Sequence, residues 1–226
     1  MQKTFVIGDI HGAHSALIQC FERASFNPDS DRLICLGDIC DRRIRVRECV
    51  DELLKVRSLV LILGNHDLWA REWMESGKAP DAWLMQGGEQ TMFSYRNGIP
   101  ENHLAFFRTA KYYHTENNRL FIHGGYNHHL PLEHQEREYF LWDRSLVTAA
   151  IRINDPLEKL GGFDDIFVGH TPTLRLPVTG ISGEGAVRPV HVCNVWLMDT
   201  GAGWPGGRLS MMELGSGEVF QSDVLN

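Results

Sequence analysis

Leu33–Leu36 is a four-residue apolar run that passes directly into Gly37, Asp38, Ile39, Cys40, Asp41 and Arg42. A buried strand with this ending delivers a carboxylate at its carboxyl end, where open α/β sheets place their ligands. Two acids and an arginine, whose fork of donors suits phosphate, then share one tight turn, and a metal ion is the obvious bridge between them. Alone, the hexapeptide reads as a polar turn capping a helix. What restricts the fold is that similar endings recur. Phe5–Gly8 runs into Asp9, Ile10, His11 and Gly12, and Leu59–Leu63 into Gly64, Asn65, His66 and Asp67. Leu120–Ile122 runs into His123, and Asp165–Val168 into Gly169 and His170.

In an extended chain, residues two apart point the same way, so Asp9 and His11 project together. After the first strand, Leu17, Ile18, Phe21 and Ala24 recur at helical spacing, and after the second so do Val46, Val50, Leu53 and Leu54. Three such β-α units describe a parallel sheet with one functional edge. The regularity then breaks. Leu68–Ser76 reads as a helix with Trp69 and Trp73 on one face, while Pro80–Pro100 has no clear period and reads as part of an inserted cap at about 68–110. Asn117 and Asn118 are the expected turn of a hairpin, and Tyr139–Ile151 is expected as one helix carrying Trp142, Asp143 and Arg144. Three or four strands are expected from Val190 onward, at 190–192, 195–198, 208–214 and 218–221. The chain is read as one domain over 1–226 with this inserted cap.

Composition removes several function classes. A net charge of −7 with no basic stripe argues against a nucleic-acid backbone as partner. No apolar run approaches the ~18 residues needed to span a bilayer, and structure is expected from Phe5, which leaves no room for a signal peptide. The five cysteines lack C-x-x-C spacing and read as reduced thiols used as small hydrophobes. A cytoplasmic protein is expected; oligomeric state is not legible.

Asp9, His11, Asp38, Asn65, His66, His123 and His170 are all oxygen or nitrogen donors beside chain-turning glycines. Any one of them alone is more often a turn or a satisfied core group; together, at successive strand ends, they converge on one crevice. A mixed nitrogen and oxygen set suits manganese, iron or zinc better than an oxygen-only calcium or magnesium site. Six ligands drawn from this set exceed one zinc with an open position and fit two ions that share a carboxylate.

In this order, GDIHG, GDICDR, GNHD, HGG and GHTP resemble the calcineurin-like metallophosphoesterases, and more narrowly the bacterial serine/threonine protein phosphatases related to the phage lambda enzyme. The resemblance covers nearly the whole chain, including Trp83, Leu84, Gly87 and Gly88, the WDR at 142–144 and the DTGAG at 199–203. It implies a central pair of mixed β-sheets flanked by helices, an αββα sandwich. It also implies one ion on Asp9, His11 and Asp38, and a second on Asp38, Asn65, His123 and His170. His66 would be the general acid, oriented by Asp41, and Arg42 and Arg144 would grip the phosphoryl oxygens. Two divalent cations, manganese first with iron or zinc as alternatives, would hold a bridging hydroxide that attacks phosphorus directly. The implied substrates are phosphoserine and phosphothreonine in proteins, or small phosphoesters.

Two positions depart from the protein-phosphatase pattern. Arg43 replaces a glycine, and either adds a positive group near the site or faces solvent. Asp67 replaces a glutamate, a choice associated with symmetric diadenosine-tetraphosphate hydrolases, although those typically lack an acid at the Asp41 position. A dinucleoside polyphosphate hydrolase or a phosphodiesterase is therefore the alternative enzyme. A catalytically silent binding scaffold is the third reading, disfavoured because His66, Asp41, Arg42 and Arg144 are all intact. Of the remaining histidines, His14 is expected on a helix surface and His103, His114 and His191 in solvent or on strand faces. His128, His129 and His134 are expected in a solvated loop, Trp69, Trp73 and Trp83 in the core, and Asp143 and Asp199 in structural or supporting roles.

Overall fold

Consecutive side chains of the strands belong to different cores, which is why the strand sequences are apolar throughout. The computed structural model describes residues 2–176 and 187–226. In β1 (Thr4–Ile7), Phe5 and Ile7 face one core while Val6 faces another; in β2 (Arg32–Cys35), Leu33 and Cys35 divide from Ile34 in the same way. β3 (Ser58–Leu61) completes a parallel trio. After it come β4 (Tyr113–Glu116), β5 (Arg119–Ile122), β6 (Asp165–Val168), β7 (Val190–Val192), β8 (Val195–Leu197), β9 (Ser210–Glu213) and β10 (Val219–Gln221).

Among the described residues the strands form two five-stranded sheets, ordered β10-β9-β1-β2-β3 and β4-β5-β6-β8-β7. β1, β2 and β3 run parallel, as do β5, β6 and β8, and antiparallel strands complete each sheet. Val6, Ile34, Leu36 and Ile62 of the first sheet meet Phe121, Phe167 and Met198 of the second, with the Phe121 and Phe167 rings stacked at 5.0 Å. The αββα expectation holds.

Helices cover both outer faces. On the first sheet lie α1 (His14–Arg23), α2 (Val46–Leu53), α3 (Asn65–Ser76), α4 (Asp81–Trp83), α5 (Glu89–Ser94) and α6 (Glu101–Arg108), which share one core through Leu17, Val50, Ala70, Trp83 and Phe107. On the second lie α7 (Arg137–Trp142) and α8 (Ser145–Ile153), packed through Phe140, Leu146 and Ala150. Among the described residues no helix is long and apolar enough to cross a membrane.

Three local expectations change. α3 starts at Asn65 rather than Leu68, because the Asp67 carboxylate accepts the Gly64 N–H at 3.2 Å and caps the helix start. The expected Tyr139–Ile151 helix is two helices. Asp143 is extended between them, and its Oδ2 accepts the N–H of Ser145 at 3.1 Å and of Leu146 at 3.4 Å, so the side chain opens a new helix instead of continuing the old one. The aperiodic 80–100 stretch is helical turns joined by a π-turn at Leu84–Gly88, where Gly87 adopts φ 104. The hairpin is as expected, with Asn117 and Asn118 both left-handed at φ 49 and 57.

Candidate metal centre and active site

Six parallel strands, three from each sheet, point their carboxyl ends at one cavity of about 720 Å³. Asp9, His11, Asp38, Asn65, His66, Arg42, Arg144 and His170 line it, while His123 and Asp41, each fully buried, sit directly behind. The structure thus brings together all ten residues singled out in the sequence.

The two leading turns lock onto each other. Ile10 and His11 donate their amides to the Asp38 carbonyl at 3.0 and 2.8 Å, and Gly12 donates to Ile39 at 2.8 Å. That clamp holds His11, Asp38, Asp41 and Arg42 at φ 48, 49, 74 and 64, with His170 across the cavity at φ 62. Left-handed backbone at residues other than glycine stores strain of roughly 1–3 kcal/mol each and concentrates at functional sites. Gly64 is required by close approach, since a Cβ there would lie 2.1 Å from Asp38 Oδ1.

The donor atoms are arranged for cations. His11 Nδ1 donates to the Cys40 carbonyl at 2.7 Å and His123 Nδ1 to the Leu36 carbonyl at 2.8 Å. Each ring therefore turns the Nε2 lone pair inward, toward Asp38 Oδ2 at 3.8 Å from His11 and 3.4 Å from His123. His123 Nε2 is also 3.0 Å from Asn65 Oδ1. His170 Nε2 is buried with no hydrogen-bond partner. Lone pairs facing oxygens, and an orphaned imidazole nitrogen, are satisfied by a positive ion among them.

Charge gives the same answer. Burial, and then Asp199 and Asp38, push the Asp9 carboxyl well above the usual carboxylate range. Burial drives His170 down to about 2 and His11 to about 3, so these rings present neutral lone pairs. Two overlapping donor groups result, Asp9 with His11 and Asp38, and Asp38 with His123 and His170. Asp38 belongs to both. This mixed nitrogen and oxygen donor set fits a pair of divalent cations.

His66 stands beside this cluster. Its amide donates to Asp38 Oδ1 at 3.0 Å, and its Nδ1 lies 2.5 Å from Asp41 Oδ2. Two more donors, not foreseen in the sequence, hold Asp41: Trp83 Nε1 reaches Oδ2 at 2.7 Å and Thr91 Oγ1 reaches Oδ1 at 2.6 Å. Trp83 is in the core as expected, yet it also spends its polar atom on the site. Its ring leaves no space beside Gly88, where a Cβ would fall 2.6 Å from the indole.

Other residues resolve differently from their expectations. Asp67 Oδ1 accepts the amides of Ile39 and Cys40 at 2.9 and 3.1 Å, so this acid ties the second turn to the third. Arg43 neither adds charge to the cavity nor faces only solvent, because its Nε donates to the Ala202 carbonyl at 2.9 Å. His103 is buried rather than in solvent, between Tyr95 Oη and Asp51 Oδ1 at 3.0 Å each. Asp199 follows β8 as a further buried carboxylate on the cavity wall, raised to about 6 by burial, with its Oδ1 accepting the Gly201 amide at 2.9 Å. Its position after a strand of the same kind was the available signal.

Comparison with known proteins agrees with this geometry. Serine/threonine-protein phosphatase 1 of Salmonella typhimurium is 26% identical over 225 residues, covering 93% of this chain and 91% of that protein. A symmetrical bis(5'-nucleosyl)-tetraphosphatase of Methylobacillus flagellatus is 25% identical over 267 residues, covering 96% and 94%. A solved metallophosphoesterase from Sphaerobacter thermophilus superposes with a TM-score of 0.59 at 16% identity, over 99% of this chain and 88% of that one, and so bears on the fold alone. The family model for calcineurin-like phosphoesterases matches residues 3–200, and with the strand-end donor cluster in place the chain belongs to that family, as a metallophosphoesterase.

Proposed function

We propose that this chain is a phosphomonoesterase that releases phosphate from serine and threonine hydroxyls, with two divalent cations, manganese first among them. Asp9, His11 and Asp38 would hold one cation, and Asp38, Asn65, His123 and His170 the other. When bound, the cations supply Lewis-acid polarisation of the phosphoryl group and an activated water.

The His66–Asp41 pair carries this reading. Asp41 fixes Nδ1–H, which leaves Nε2 as the nitrogen that can serve a substrate in the cavity that His66 lines. Burial opposes a charge on His66, but Asp38 and the bond to Asp41 outweigh it and raise its pKa, so the ring holds a proton to give. A serine alkoxide is a poor leaving group, and a placed proton donor is typically worth about 10²–10⁴ in rate. A phosphoanhydride leaves as a weakly basic phosphate and has less need of one. Arg42 and Arg144 on the cavity wall would neutralise the phosphoryl oxygens in a loose transition state. Five free, buried thiols support a reducing compartment, the cytoplasm.

Hydrolysis of a dinucleoside polyphosphate is the second reading. It is supported by Trp142 on the cavity wall, which offers indole surface to a base, and by the tetraphosphatase relatives. The deciding experiment offers Mn-loaded protein a phosphoserine peptide and diadenosine tetraphosphate side by side. Phosphate from the peptide with the dinucleotide untouched supports the first reading. Nucleoside diphosphate with the peptide inert replaces it with the second.

A further inference from the structure

Trp204, on the loop after Asp199, carries two guanidinium groups. Arg42 Cζ lies 4.0 Å from the indole centroid and Arg175 Cζ 3.4 Å from it, so the two carbons are no further apart than those distances laid end to end. Gly203 leaves room for the Arg42 side chain, because a Cβ there would fall 2.3 Å from Arg42 Cδ. Arg175 belongs to the turn Thr173–Arg175 that follows His170, and it lines the same cavity as Arg42 and Arg144.

Six arginines elsewhere on this protein, Arg23, Arg32, Arg45, Arg57, Arg108 and Arg119, each contact a carboxylate. Among the described residues Arg42, Arg144 and Arg175 form no such pair, and Arg42 Nε is buried with no partner at all. Three unpaired guanidiniums therefore border one cavity. The proposed function assigns Arg42 and Arg144 to the reacting phosphoryl group, which leaves Arg175 as a third guanidinium on the same cavity wall. Stacking on an indole also orients it, which suits a planar, two-point grip on oxygen.

We infer that Arg175 and Trp204 form a second subsite, which binds another phosphoryl group of the substrate next to the one hydrolysed. The inference rests on the reading of this cavity as a phosphoester site. Its ligand is a substrate with two neighbouring phosphoryl groups, supplied either by a second phosphoresidue in a peptide or by a phosphoanhydride chain. Because Arg42 shares the indole, the second group lies beside the first rather than at a remote docking patch.

The test compares kcat/KM for a singly phosphorylated serine peptide, the same peptide with a second phosphoserine two residues on, and adenosine 5′-diphosphate. Wild type, Arg175→Ala, Arg175→Lys and Trp204→Leu are measured in parallel. Wild type should favour at least one substrate that carries two phosphoryl groups. That preference should fall about tenfold in Arg175→Ala, chiefly through KM, as expected for one charge-assisted contact. Arg175→Lys should restore part of it. A preference confined to the peptide assigns the second group to a phosphoresidue, and one confined to the nucleotide assigns it to an anhydride. Calorimetric binding of the two peptides to metal-depleted protein gives a readout independent of turnover, and the doubly phosphorylated peptide should lose its advantage in Arg175→Ala. Turnover of the single phosphopeptide with no preference, or one unchanged by Arg175→Ala, overturns the subsite alone. Absence of all turnover counts against the phosphoester reading, and the calorimetry then decides the subsite.

Discussion

Asp41 Oδ2 lies 2.5 Å from His66 Nδ1, and the same oxygen accepts Trp83 Nε1 at 2.7 Å. A carboxylate with two charge-assisted or strong donors on one oxygen, and Thr91 on the other, has no freedom to turn. It therefore fixes the imidazole as well, with Nδ1 engaged and Nε2 directed to the cavity. The His66–Asp41 pair, the proposed proton donor, is thus held in an arrangement of four side chains drawn from three separate stretches of sequence.

His66→Asn should lower kcat on a phosphoserine peptide by about 10²–10⁴. On p-nitrophenyl phosphate, whose leaving group hardly needs a proton, the loss should be far smaller. Steady-state kinetics on both substrates checks this, and equal losses would sink the general-acid role.

Trp83→Phe keeps most of the buried ring and deletes the Nε1 donor to Asp41. It should slow phosphoserine hydrolysis several-fold more than p-nitrophenyl phosphate hydrolysis, echoing His66→Asn in a weaker form. Stability should fall by roughly 1–3 kcal/mol in urea, from the buried carboxylate that loses a partner. A uniform loss on both substrates would mean that Trp83 serves the fold without serving the proton donor.

Asp38→Asn removes the carboxylate common to both donor groups. Metal content, read by elemental mass spectrometry after equilibration with manganese, should drop together with activity. A variant that stays fully metallated and active contradicts a shared ligand.

Cation binding should also appear as stability. Metal-depleted protein retains buried Asp9 and Asp38 without a compensating ion. Adding manganese should raise Tm progressively with concentration, since a ligand at 100 times its Kd stabilises the native state by about 2.7 kcal/mol. A melting curve indifferent to manganese and to chelator would rule out this centre.

Asp67→Asn should be costly although Asp67 touches no substrate. Its oxygens take the amides of Ile39, Cys40 and Gly64, and an amide side chain turns one of those acceptors into a donor facing a donor. A loss of roughly 2–4 kcal/mol with weakened metal retention is the expected outcome in denaturant titration and metal analysis.

Sequence by itself determined the strands, their shared ending and the donors that those endings carry. These are short-range properties. An apolar run followed by glycine and a ligand is legible within six residues, and parallel strands necessarily bring their carboxyl ends to one edge. The shared endings of these strands therefore already group Asp9, His11, Asp38, Asn65, His123 and His170. The tertiary structure alone decided what surrounds them. Trp83 and Thr91 reach Asp41 from 42 and 50 residues away, inside a stretch with no period, and no local pattern marks an indole nitrogen as a donor to a distant acid. Likewise Asp143 breaks an expected helix through a capping bond that competes with helical pairing only once the chain turns there. Arg175 and Arg42 meet on Trp204 across separate loops. Periodicity encodes which face a residue takes; which partner it finds on that face depends on how the two sheets and their helices close around the site.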